Sequence, residues 1–143
     1  MRVPKFRAWD KISKKMFPVG EIDFDYEFAY LEEENGYRCE RDFDEIEFMQ
    51  FTGLYDTNGT EIFEGDIIKD DDGDLGVVTY EDCAYWIKFV SAGYKQVFIL
   101  SGLSELEEWK DFAVVGNIIY VKDTWWLKLH VYWCCVYLTY WLL

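Results

Sequence analysis

Apolar and polar side chains alternate strictly in Glu21-Ile22-Asp23-Phe24-Asp25-Tyr26-Glu27-Phe28-Ala29-Tyr30. A period of two is the signature of a half-buried strand. A single strand here places Ile22, Phe24, Tyr26, Phe28 and Tyr30 on a core face and leaves Glu21, Asp23, Asp25 and Glu27 in water. Glu45-Ile46-Glu47-Phe48 repeats the alternation ahead of Met49-Gln50-Phe51-Thr52. Asn58-Gly59 then tolerates the positive φ of a tight hairpin, so the chain reverses there. Short strands follow at 67–69, 75–80, 85–90 and 96–100, punctuated by bends at Glu64-Gly65-Asp66, Asp70-Asp71-Asp72-Gly73-Asp74, Glu81-Asp82 and Ser91-Ala92-Gly93. Ser104 and Glu107 form a capping box that predicts two helical turns over 104–110. Residues 112–121 return to a buried strand, with a bulge at Gly116. The fold class is therefore all-β and mostly antiparallel: a small, partly open SH3-like barrel with an added N-terminal sheet and one short helix.

Length and composition narrow this further. At 143 residues, half of them apolar and a fifth aromatic, the chain fits one compact domain or two very small ones and buries a real core. Its formal net charge is −14, which argues against a generic grip on nucleic acid or anionic lipid. The charge is unevenly spread. Residues 1–20 carry six basic and one acidic side chain, 21–82 carry 22 acidic and three basic, and 83–143 carry five of each. Cys39, Cys83, Cys134 and Cys135 form no CxxC pair, and Met1 to Asp10 mixes charges without an apolar run. A structural zinc site and a secretory leader are both unexpected, and free thiols in the cytoplasm of a host cell are expected.

The tail differs in kind. From Trp125 to Leu143, 16 of 19 residues are apolar, close to the roughly 20 that span a bilayer. Its four Trp and three Tyr are scattered rather than gathered at the ends, unlike an interfacial belt. Three readings stay open: a membrane span, a packed or swapped element, and an extension outside the folding design. The domain boundary is drawn accordingly, with a β domain at 1–123 and an aromatic-rich tail at 124–143.

Candidate chemistry is sparse. His130, the one histidine, lies in the tail, so a His-based triad is unexpected. No GxxxxGK[ST] or GxGxxG loop occurs. Against the EF-hand template, Asp70, Asp72 and Gly73 fill positions three, five and six, but Ile68 and Thr79 stand where ligands one and twelve are needed. A hairpin turn explains that loop. The carboxylates are numerous without being poised in different environments, as acid and base catalysis requires. No catalytic residue, metal site or cofactor is expected.

What remains is the acidic face. Glu21, Asp23, Asp25 and Glu27 on one strand would set a negative charge every ~6.7 Å, and a second acidic strand with Glu45 and Glu47 alongside would bring the density toward that of a phosphate backbone. These six are the candidate partner-facing residues. Lys5-Phe6-Arg7-Ala8-Trp9-Asp10-Lys11 alternates basic and aromatic side chains like a single-strand platform, but in so acidic a chain it is expected to pair with the protein's own carboxylates.

Three segments carry a family resemblance: Lys5-Phe6-Arg7-Ala8-Trp9-Asp10, then Met49-Gln50-Phe51-Thr52-Gly53-Leu54-Tyr55-Asp56-Thr57-Asn58-Gly59-Thr60-Glu61-Ile62-Phe63-Glu64-Gly65-Asp66-Ile67-Ile68, then Val115-Gly116-Asn117-Ile118. Over roughly 2–122 the chain resembles the YopX family of small phage and prophage proteins. The resemblance implies a β-rich fold and a cytoplasmic, phage-linked setting, and it transfers no catalytic role to any residue. The expected function is that of a non-enzymatic phage accessory protein whose acidic face meets a host or phage protein. The alternatives are a DNA mimic that inhibits a DNA-binding protein and, third, a carboxylate-dependent small hydrolase. Direct nucleic-acid binding is not expected, nor is membrane association unless 125–143 inserts, and a homo-oligomer stays open. Because every predicted core strand precedes the tail, deleting 124–143 should leave a cooperatively unfolding protein; a broad, non-cooperative thermal melt of that truncation would contradict this.

Overall fold

The computed structural model describes residues 3–91, 94–99 and 112–123. The predicted helix at 104–110 and the tail at 124–143 lie outside them. The strands all pair antiparallel, with one 3-10 turn and one short helix among the described residues, and the chain divides into two compact units, 1–53 and 54–143.

In the first unit, β1 (Phe6–Asp10), β2 (Lys15–Asp23), β3 (Phe28–Glu32) and β4 (Arg38–Asp42) form a meander, and β5 (Ile46–Tyr55) returns to pair with β1. A 3-10 turn at Phe43–Glu45 is the only link between β4 and β5. Those strands stand at opposite ends of the order β4-β3-β2-β1-β5. Were the sheet flat, four strand spacings of ~4.8 Å would part them by about 19 Å. The four residue steps from Asp42 to Ile46 reach at most about 14 Å. The sheet must therefore curl, and its concave side carries the core: Ala8, Ala29, Leu31 and Ile46, packed by Phe17, Val19, Ile22, Phe43 and Phe48. Phe43 and Phe48 meet edge to face at 5.2 Å between ring centroids.

An ion pair ties the curl. Arg41 on β4 places Nη2 3.1 Å from Asp10 Oδ2 on β1, although two strands lie between them in the sheet. Asp10, 1% exposed, also accepts from the Ser13 hydroxyl (2.7 Å) and the Ile12 amide (2.9 Å). Burial raises its pKa, but the hydrogen bonds from Arg41, Ser13 and Ile12, with the guanidinium charge, together hold it below the usual carboxylate value. The basic N-terminal segment contributes further contacts: Lys11 Nζ donates to the Asp44 carbonyl, and Lys5 lies 5.9 Å from the Phe51 ring centroid.

The second unit repeats the strand order. β5 runs on into a hairpin with β6 (Glu61–Phe63), closed at Asp56–Thr60 as Asn58-Gly59 predicts, with Gly59 at φ 79°. Then β7 (Asp66–Lys69), β8 (Leu75–Glu81), β9 (Ala84–Ser91) and β10 (Tyr94–Ile99) form a meander, and β11 (Ala113–Asn117) returns to β7. These strands form a five-stranded sheet in the order β11-β7-β8-β9-β10. No described pairing joins β10 to β11, so no closed barrel forms. Ile62, Ile68, Val78, Ile87 and Phe89 make its core.

One segment departs from the reading of 112–121 as strand. After a bulge between Val114 and Gly116, the strand ends at Asn117 and α1 (Ile118–Asp123) begins. Asn117 causes the switch. Its Oδ1 accepts from the Ile119 amide at 2.9 Å, an N-cap bond that satisfies a helix donor. Its Nδ2 donates to Asp66 Oδ1 at 3.2 Å, and Asp66 Oδ2 accepts from the Phe63 amide at 2.9 Å. Gly65, at φ 79°, sits in the left-handed region that strains other residues, and a Cβ there would press on Asn117 Nδ2 at 3.2 Å.

The Asp10–Arg41 pair gives the first unit a defined acid sensitivity. With the folded pKa of Asp10 lowered, its contribution is complete above the unfolded value of about 4 and is lost as pH falls through the folded one. Asp10→Ala should cost about 3 kcal/mol at pH 7, because it leaves the guanidinium without its buried partner, and should weaken the acid dependence of stability. Urea melts at pH 7 and pH 3 check this; an unchanged midpoint at pH 7 would contradict it.

Candidate functional site

The acidic run from Glu21 to Glu27 is not one strand. β2 ends at Asp23, residues 24–27 form a turn, and β3 begins at Phe28. Asp23 closes the turn by accepting from the amides of Asp25 (2.9 Å) and Tyr26 (3.0 Å) through Oδ1, and Glu27 takes a left-handed φ of 55°. Phe24 and Tyr26, expected in the core, are instead 75% and 79% exposed at the tip. Phe24 keeps only an edge-to-face contact with Phe43, at 6.0 Å.

The turn also reverses which residues share a face. Asp23 pairs with Phe28, Glu21 with Tyr30 and Ile22 with Ala29. Paired residues point to the same side of a sheet, so Ile22 and Ala29 go to the core. Phe28 and Tyr30 join the acids on the convex side. β4 adds Asp42 opposite Phe28, Glu40 opposite Tyr30 and Arg38 opposite Glu32. The outer face thus carries three rows: Asp23, Phe28, Asp42; Glu21, Tyr30, Glu40; then Glu32 and Arg38.

The rows sit two strand rises apart, about 6.7 Å, and each flanking pair of carboxylates spans two strand spacings, about 9.6 Å at the backbone. Phe28 and Tyr30 stack edge to face in the middle, centroids 5.3 Å apart, and both are half-buried. Tyr30 donates its hydroxyl to Glu40 Oε2 at 2.9 Å, and that bond, with the carboxylate charge, raises the Tyr30 pKa. In the third row Arg38 Nη2 pairs with Glu32 at 3.1 Å. Among the described residues no lysine or arginine pairs with Glu21, Asp23, Glu40 or Asp42.

Of the six predicted partner-facing residues, two reach this face, Glu21 and Asp23. Asp25 and Glu27 lie in the turn. Glu45 sits in the 3-10 turn, its Oε2 accepting from the Asp42 amide at 3.2 Å. Glu47 is exposed on β5 opposite Trp9, and β1 separates β5 from the hairpin. The evenly spaced double acidic strand is therefore absent. The residues that sequence reasoning missed are Glu40, Asp42 and the ring pair. Their signal is present in Arg38-Cys39-Glu40-Arg41-Asp42, where charged residues hold alternate positions 38, 40 and 42.

Asp56 and Asp70 also close turns of the fold. Asp56 Oδ1 accepts from Asn58 and Thr60 and its Oδ2 from the Val114 amide at 3.0 Å. Burial raises its pKa, but the amides of Val114, Thr60 and Asn58 outweigh burial and leave it lowered. Asp70 Oδ1 accepts from the Asp74 amide at 2.7 Å, closing the acidic loop as a hairpin turn. Glu64 is raised by burial, partly offset by the Tyr80 amide. Among the described residues, no three His, Cys, Asp or Glu side chains converge as metal ligands, and no helix is long and apolar enough to cross a membrane.

Fold and face together define a two-unit antiparallel β protein with an acid-rimmed aromatic surface on its first unit. The family described as "YopX protein" matches residues 5–120. The chain belongs to the YopX family. It is similar to the crystal structure of protein EF1440 from Enterococcus faecalis, at 26% identity and a TM-score of 0.56, over 86% of this chain and 98% of that one. A search of curated proteins found no match.

Four carboxylates around two rings repel one another, by roughly 0.5 kcal/mol per pair at these separations in water. Glu21→Lys should therefore raise the thermal midpoint at low ionic strength, and the gain should fade near ~1 M salt, where the Debye length is ~3 Å. Equal midpoints for wild type and variant at low salt would contradict the charge arrangement.

Proposed function

We propose that the protein is a non-enzymatic interaction module that docks a cationic surface of a host or phage protein on the outer face of β2, β3 and β4. One observation carries this reading. Glu21, Asp23, Glu40 and Asp42 surround half-buried Phe28 and Tyr30 without a cationic partner among the described residues, while the neighbouring Glu32 has Arg38. Carboxylates gain from a cation that also covers an aromatic floor, because the ring faces attract it and water is displaced. The membership of the YopX family fits a small phage-linked protein acting in the host cytoplasm. A DNA mimic is favoured less, because the regular acidic strand at 21–27 on which that alternative drew is interrupted by the turn at 24–27.

The test uses the full chain immobilised and exposed to host lysate, beside the triple variant Glu21→Gln, Glu40→Gln, Asp42→Asn. Wild type should retain basic proteins at ~50 mM salt and release them by ~0.5 M, because rim charges are screened; the variant should retain none of them. Retention indifferent to salt, or unchanged in the triple variant, would contradict the reading.

A further inference from the structure

Resting on that reading of the face, we infer the chemistry of its occupant: an extended partner segment with arginines at alternate positions, Arg-x-Arg. Three observations carry this. First, among the described residues two rows lack a cation, Asp23, Phe28, Asp42 and Glu21, Tyr30, Glu40, whereas the third already holds Arg38 on Glu32 at 3.1 Å. The face has places for two cations rather than a continuous track. Second, the two open rows are one two-residue step apart on β3, from Phe28 to Tyr30. An extended peptide lying along the strand repeats its same-side residues at that same distance, about 6.7 Å. Adjacent cations on such a peptide point to opposite sides and reach one row only.

Third, each open row has an aromatic ring between its acids. Guanidinium is planar, weakly hydrated and stacks on rings while its fork meets carboxylates; the lysine ammonium is compact and strongly hydrated. The face therefore selects arginine over lysine at equal charge. Asp23 Oδ1 accepts from the amides of Asp25 and Tyr26, which fixes one acid of the first row and limits the entropic cost of ordering it on binding. Asp25 and Glu27 extend the negative field beyond that row.

The experiment is calorimetric titration of the full chain with three synthetic peptides of equal charge: Gly-Arg-Gly-Arg-Gly, Gly-Arg-Arg-Gly-Gly and Gly-Lys-Gly-Lys-Gly. At ~20 mM salt the alternating arginine peptide should bind about fivefold or more tighter than either other, the scale set by an exposed cation–π contact at each ring. Tyr30→Leu should remove the preference for arginine over lysine, and Glu21→Gln, an exposed change that spares the core, should weaken all three peptides. Circular dichroism confirms that each variant is folded. Equal affinity of the three peptides for wild type would overturn the Arg-x-Arg inference and leave the cation-binding face standing. No binding of any peptide at ~20 mM salt would remove both. A preference for arginine that survives unchanged in Tyr30→Leu would overturn the role of the ring.

Discussion

Asp23 holds the amides of Asp25 and Tyr26 at 2.9 and 3.0 Å, and the character of the outer face follows from that constraint. A turn of four residues pairs Asp23 with Phe28. In a continuous strand, odd positions and even positions face opposite ways. After this turn the even aromatics Phe28 and Tyr30 stand beside the odd acids Glu21 and Asp23, and even Ile22 stands beside odd Ala29 in the core. One side-chain cap thus converts an ordinary amphipathic pattern into a surface where rings and carboxylates share a side.

The curl of the first unit supplies the other half of the arrangement. The short link at 43–45 brings β4 and β5 of the sheet toward each other across the three strands between them, and the Arg41 to Asp10 pair ties β4 to β1 on the concave side. Arg41 is spent inside while its neighbours Glu40 and Asp42 point out. The free edge of β4 is itself partly capped: Arg41 Nη1 donates to the Glu40 carbonyl at 2.9 Å and Glu45 accepts from the Asp42 amide. Such caps discourage the addition of a further strand, which leaves the convex face, rather than the edge, as the surface open to a partner.

Much of the fold is written in local pattern. Period-two alternation marks β2, β3 and β5, Asn58-Gly59 marks the β5 to β6 hairpin, and the loop at Asp70–Asp74 closes β7 to β8. The break at 24–27 was not legible, because no Gly, Pro or Asn-Gly marks it and Phe24 and Tyr26 continue the alternation. An aspartate that caps a turn and one on a wet strand face are the same letter. Likewise Ile118 to Val121 continue an apolar run, and only Asn117, bound to both Asp66 and the Ile119 amide, turns strand into helix. The site was half legible for a related reason: Glu21 and Asp23 are visible as acids, but their joining with Glu40 and Asp42 depends on register across three strands. The residues that carry the family resemblance are largely engaged in backbone capping, as Asp56, Gly65, Asp66 and Asn117 show.

The account stands on the register of the β2 to β3 hairpin, and nuclear Overhauser contacts across it measure that register directly. Backbone contacts between Glu21 and Tyr30 and between Asp23 and Phe28, with amides of Asp25 and Tyr26 shielded from exchange, are the expected result. Sequential contacts alone from Glu21 through Tyr30, without any cross-strand contact, would restore the single continuous strand and dissolve the face of acids and rings.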